Sequence, residues 1–208
     1  LHYADASTSV ASIAYQFFTG SNPSQGGYAY LVNGGGNPND LDSPYYVQFN
    51  EQNRYINFAS NLGKYGAGAS WFSANYGSLT LQDAMTKAYA AIFGFTPAPG
   101  KIAAILSSPA GSIGTIADYF AYYGTDGTNG IGAKAAAVGW LMEVAVQNDL
   151  GVYAAANDAF LTALSNGSAQ YGVNLLSTYA SMTAGQASSI VSYLASGNQP
   201  LTSLTAPL

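Results

Sequence analysis

Punctuation limits what this chain can fold into. Residues that start and stop helices recur at short intervals, and no stretch alternates β-branched and polar residues like a half-buried strand. Ser7 or Thr8 caps a helix reaching Phe18, and Gly20 stops it. Ser24 to Val32 reads as a second helix, closed by Asn33-Gly34-Gly35-Gly36. Gly66 to Tyr76 reads as a short helix carrying Trp71 and Phe72. Thr80 caps Leu81 to Phe93, with Asp83 near the positive end of the helix dipole. Pro97 to Leu106, Ser112 to Tyr123, Ile131 to Gln147 and Leu150 to Leu164 follow. Ala169 to Tyr179, a last helix from Thr183 to Leu194 and a tail from Gly197 to Leu208 complete the chain. The expected fold is all-α, a compact domain of about ten short helices. It is expected to span residues 1–196, divisible into 1–77 and 78–196, with 197–208 as the tail.

One corner occurs twice. Tyr15, Gly20, Pro23 and Gly26 recur with the same spacing as Tyr89, Gly94, Pro97 and Gly100. The expected unit is a helix, a glycine stop, and a proline-started second helix with a glycine inside it. The repeat is structural and carries no chemistry.

The stretch Asn39–Leu62 organises the rest. Asp42 or Ser43 can cap, Pro44 suits the first helical position, and the spacing predicts one helix to about Leu62 that stops at Gly63. On that helix Tyr45, Phe49, Ile56, Ala59, Tyr55, Leu62 and Phe58 form an apolar arc facing a core. The opposite arc holds Tyr46, Asn50, Asn53, Arg54, Asn57 and Asn61. Asparagine is a mediocre helix former, so such a stripe needs partners, either neighbouring backbone or a hydroxyl-rich ligand.

Charged residues are only 7% of the 208, while hydrophobic residues reach 49% and tyrosine alone counts 17. The polar surface is therefore built from hydroxyls, amides and glycine. A net charge of −5 with five dispersed basic residues excludes a nucleic-acid footprint. No apolar run is long enough for a transmembrane helix, and no signal peptide opens the chain. Leu1 in place of an initiator Met reads as a processed form or a piece of something longer. There is no cysteine, hence no disulfide framework and no thiolate metal site.

Catalytic chemistry finds little purchase. His2 is the only histidine, at the terminus, and a Ser-His-Asp arrangement would have to use it. Glu51 is the one acid that reads as buried, with Arg54 three residues on as a partner, and a structural role suits it. Asn37, Asn39, Asp40 and Asp42 make an oxygen-rich loop, where helix capping competes with calcium held by Asn39, Asp40 and Asp42. Asp126-Gly127-Thr128-Asn129 is a weaker candidate of the same kind. The stronger functional set is Tyr46, Asn50, Asn53, Arg54 and Asn57 with Trp71. Sugars are held by aromatic rings under their C–H faces and by amides and arginine on their hydroxyls. The competing reading has those amides bonding adjacent loops.

Three segments carry a family resemblance: Ala14-Tyr-Gln-Phe-Phe-Thr-Gly-Ser-Asn-Pro-Ser-Gln-Gly-Gly, Asn39-Asp-Leu-Asp-Ser-Pro-Tyr-Tyr, and Asn53-Arg-Tyr-Ile-Asn-Phe-Ala-Ser-Asn-Leu. Together they resemble the N-terminal domain of the calcium-dependent S-layer proteins of stalked Gram-negative bacteria. Ile131–Leu176 fits the same group more loosely. The resemblance implies a non-catalytic α-helical anchor, exported by a type I (ABC) pathway. It would bind the O-antigen of lipopolysaccharide, or another surface polysaccharide, on the outer cell surface. Neighbouring copies in a surface lattice are the other implied partners. The chain departs from full-length members in lacking Gly-Gly-x-Gly-x-Asp nonapeptides and a β-rich lattice part. The alternative class is an extracellular enzyme or small-ligand-binding protein on the same scaffold.

Overall fold

In a computed structural model, residues 7–32, 35, 37 and 39–176 are described. A π-helical segment, Val10–Ala14, runs directly into α1 (Tyr15–Thr19). Then come α2 (Gln25–Val32), α3 (Pro44–Val47), α4 (Glu51–Lys64), α5 (Ala69–Tyr76) and α6 (Leu81–Phe93). The series closes with α7 (Lys101–Ser107), α8 (Ile116–Gly124), α9 (Ile131–Gln147) and α10 (Gly151–Ser165). These are ten α-helices, with no strand among the described residues beyond an isolated bridge between Pro109 and Thr115. The all-α expectation holds. The expected helix 183–194, the tail 197–208 and His2 lie outside the described residues.

The core is the crossing of α9 on α4, with α6 and α8 packed beside it. Helix α9 is buried on every side from Gly132 to Ala145, which matches its apolar, alanine-smooth sequence. Small residues let the two axes approach. A Cβ on Gly139 would lie 2.4 Å from the carbonyl oxygen of Tyr55 and 2.7 Å from the Ala59 Cβ. Gly63 serves the same contact, since a Cβ there would lie 2.7 Å from that of Ala135. It does not stop its helix as expected; α4 continues to Lys64 and Gly63 is buried within it.

Local chemistry explains most boundaries. Thr80 Oγ1 accepts from the Asp83 N–H at 3.1 Å, and Thr115 with Asp118 forms a reciprocal capping box. Gly20 and Gly94 end α1 and α6 at φ 82° and 86°, the left-handed conformation that glycine adopts without strain. The repeated corner diverges afterwards. Gly26 lies inside α2, but Gly100 sits at φ 78° ahead of α7, so Pro97 precedes that helix instead of starting it. Helix α8 likewise starts at its Thr115 cap, after a 3-10 turn at Gly111–Ile113. Residues 169–174 are not helical, contrary to expectation.

Candidate functional site

The expected single helix from Pro44 to Leu62 is two. Asn50 adopts an extended ψ of 167°, and its Oδ1 accepts from the Asn53 N–H at 2.8 Å. An asparagine side chain that competes with the backbone this well starts a new helix. The break changes the angular phase between Pro44–Val47 and Glu51–Lys64, so Tyr45 and Tyr46 change places, while Tyr55, Ile56, Phe58, Ala59 and Leu62 face the core as expected. Tyr45, expected in the core, is 57% exposed, while Tyr46 is buried.

The amide stripe divides accordingly. Asn53 is buried, and its Oδ1 accepts from the Tyr119 hydroxyl at 2.8 Å. Arg54 is 2% exposed; its Nη1 donates to Ser7 Oγ at 2.9 Å and its Nε to the Phe49 carbonyl at 3.3 Å. Ser7 in turn donates to Asp42, so Arg54 ties the N-terminal helix to the 39–43 loop. Tyr46, Asn53 and Arg54 therefore face inward, Asn57 is half-buried, and Asn50 is an exposed cap. They do not share an open face with Trp71.

The oxygen-rich loops are engaged in turns. Asp40 Oδ1 accepts from the Asp42 N–H at 2.9 Å, and the Asn39 amide donates to the Tyr30 hydroxyl at 3.0 Å. Asp126 accepts from the N–H groups of Gly132 and Ala133 at the start of α9, and Lys64 lies 3.6 Å away. Asn129 Oδ1 accepts from the Leu81 N–H. Glu51 is half-buried and Asp40 is buried in its loop; the acid buried inside a helix is Glu143, in the middle of α9. Burial, then the Glu51 carboxylate, holds its pKa up to about 8. Sequence reading missed Glu143 because nothing local marks a charge inside an apolar helix.

Trp71 is placed differently. It stands 45% exposed at a groove of about 600 Å³ between α1, α5, α6, α10 and the segment 174–176. Its ring is met edge-on by Phe17 at 5.8 Å and at a tilt by Tyr76 at 6.0 Å, and Phe17 also meets Tyr153 at 6.0 Å. Phe72 stacks on Tyr76 at 4.6 Å behind it. The platform is thus fixed before any ligand arrives. Lys87 Nζ sits 4.7 Å from the centre of the Tyr76 ring while donating to the Asn75 carbonyl. Burial raises the Tyr76 pKa to about 12, so its phenol stays neutral at physiological pH. Gln16, Thr19 and Asn174 add polar atoms, and among the described residues no carboxylate lines the groove. Such a site can stack on an apolar ring face and bond hydroxyls around its rim. Sequence reading found Trp71 but not Phe17 or Tyr153, which come from distant helices.

The family model of the RsaA N-terminal domain matches residues 7–187. The chain belongs to that family. It is therefore an S-layer-related domain with a cell-surface role, from a structural family that is not a known enzyme family. No curated relative matches the chain. Among the described residues, no helix of the domain is long and apolar enough to cross a membrane.

Proposed function

We propose that the domain anchors its protein by binding surface polysaccharide, the O-antigen of lipopolysaccharide, in the Trp71 groove. One observation carries the reading: a half-exposed indole, buttressed by buried aromatics, at the mouth of a groove with amide, hydroxyl and ammonium groups but, among the described residues, no carboxylate. The negative π-face of an indole attracts the C–H groups of a sugar ring, and buried aromatic anchors dominate binding energies. The same reading includes type I export, an outer Gram-negative surface and neighbouring copies in a lattice as further partners. Of the six side chains singled out in the sequence, Trp71 is the contact it uses. Asn50 and Asn57 are the remaining surface candidates.

The test is Trp71→Ala against smooth lipopolysaccharide, with rough lipopolysaccharide lacking O-antigen as control. Truncating such an anchor costs roughly 2 kcal/mol, about a thirtyfold loss of affinity. The melting temperature should move little, because nearly half the ring is already in water. Unchanged affinity for smooth lipopolysaccharide would exclude the groove.

Calcium at Asn39, Asp40 and Asp42 extends the proposal. The loop fits the ion in part: it offers two carboxylates and amide oxygens, but one oxygen of each carboxylate already accepts an internal hydrogen bond.

A further inference from the structure

The groove has one wall from an unexpected place. After α10 the chain returns as residues 170–176 and lies along the corner between α1 and α2. Asn22, 1% exposed, grips it three ways. Its backbone N–H donates to the Val173 carbonyl at 3.0 Å, its Nδ2 to the Gln170 carbonyl at 2.7 Å, and its Oδ1 accepts from the Val173 N–H at 2.8 Å. The Gly172 N–H donates to the Pro23 carbonyl at 2.9 Å. Gln16, also 1% exposed, accepts from the Leu175 N–H at 3.0 Å. Two buried amide side chains thus take the role of a neighbouring strand for a segment that pairs with none among the described residues. Apolar contacts pin both ends. Tyr171 meets Tyr28 and Phe160 edge-on at 5.8 and 6.0 Å, and Leu175 is 2% exposed. The strap delivers Asn174 and Leu176 to the groove lining, opposite Trp71 on α5.

We infer that the strap 170–176 is a required wall of the polysaccharide groove, that Asn22 is its positioning residue, and that ligand binding and strap closure are thermodynamically coupled. The inference rests on the proposed reading of the groove and adds the device that regulates it. Asn22 is not among the lining residues, so its effect on the ligand runs through the strap. Coupling is reciprocal: if the closed strap favours the ligand, the ligand must hold the strap closed by the same factor. The lining residue Gln16 bonds the strap directly, which places the sensor of closure inside the site.

Hydrogen exchange on the intact domain tests this without mutation. Saturating O-polysaccharide released from smooth lipopolysaccharide should slow exchange at the Val173 and Leu175 amides at least about fivefold. Exchange at the buried middle of α9 would stay unchanged. Asn22→Ala removes the side-chain bonds to Gln170 and Val173. It should lower affinity about tenfold, measured where circular dichroism shows the variant folded. Trp71→Ala, measured in parallel, separates the two claims. Loss of binding in Trp71→Ala with wild-type affinity in Asn22→Ala and no strap protection overturns the inference and leaves the groove reading standing. Wild-type affinity in both variants overturns both. Should Asn22→Ala fail to fold, strap protection in the wild-type protein decides alone: its absence under saturation overturns the coupling.

Discussion

Replacing Glu143 by Gln should flatten the pH dependence of stability. The carboxyl is 2% exposed in the middle of α9, and burial together with the Glu51 carboxylate raises its pKa from 4.5 to about 8. Its charge also acts on the buried phenols of Tyr55 and Tyr119, both held well above the ordinary tyrosine value. The sign follows from proton binding. The folded state keeps this proton to higher pH than the unfolded state, so the stabilisation is complete below pH 4.5 and is lost as pH rises to about 8. Each pH unit in that window removes about 1.4 kcal/mol. The loss is therefore about 3 kcal/mol by pH 7 and about 5 kcal/mol at its limit. Glutamine keeps the shape and cannot ionise. In a domain of this size 1 kcal/mol moves the melting temperature by roughly 2–4 °C. Glu143→Gln and wild type should melt within roughly 1–3 °C of each other near pH 5. At pH 7 the variant should melt roughly 6–12 °C higher, with a wider gap at pH 8.5. Asp158, also raised by burial, contributes a trend of the same sign, but it is present in both proteins and cancels in the difference. Parallel melting curves from pH 5 to pH 9 would refute the reasoning.

Gly139→Ala should destabilise by about 3 kcal/mol or more, because the new methyl meets the Tyr55 backbone oxygen, which cannot swing aside; chemical denaturation measures it. Asn53→Ala should cost about 1–3 kcal/mol by leaving the buried Tyr119 hydroxyl without its acceptor, while affinity for smooth lipopolysaccharide stays at the wild-type value. Calcium at the 39–42 loop should raise the melting temperature by mass action, and Asp40→Ala with Asp42→Ala should abolish the rise. No shift at millimolar calcium removes the metal from the proposal.

How far the chain could be read follows from where each signal resides. Helix α9 was legible to its ends, because an alanine-rich apolar run with no proline between Gly130 and Asn148 specifies a buried helix by itself, even with Gly132 and Gly139 inside it. Gly20, Thr80 and Gly94 act within one turn of their own positions, so they too were legible. Asn50 was misread because the same residue type suits a ligand-facing stripe and a helix cap, and the choice depends on the Asn53 N–H. Gly63 looked like a stop from its neighbours, whereas its reason is Ala135 on another helix. The groove was least legible. Phe17, Trp71, Tyr153 and Asn174 are far apart in sequence, and the amide bonds that place the strap join Gln16 and Asn22 to residues 170–175.

The scarcity of charge has a consequence for binding itself. With five basic side chains and a net charge of −5, the domain has little with which to attract an anionic cell surface. Two of the cations are turned inward: Arg54 is 2% exposed, and Lys134 is 2% exposed and donates to the Gly77 carbonyl. Among the described residues lining the groove, Lys87 alone carries charge, partly engaged by the Asn75 carbonyl and the Tyr76 ring. Recognition built from stacking and neutral hydrogen bonds is barely screened by salt, whereas attraction to phosphates falls as the Debye length shortens from about 10 Å at 0.1 M to about 3 Å at 1 M. Affinity for smooth lipopolysaccharide should therefore change less than about twofold over that range of sodium chloride. Any drift should be upward, because salt also screens repulsion between an acidic protein and an acidic membrane. Affinity that collapses with salt would mean that lysines on the surface hold the polymer and that the aromatic groove does not.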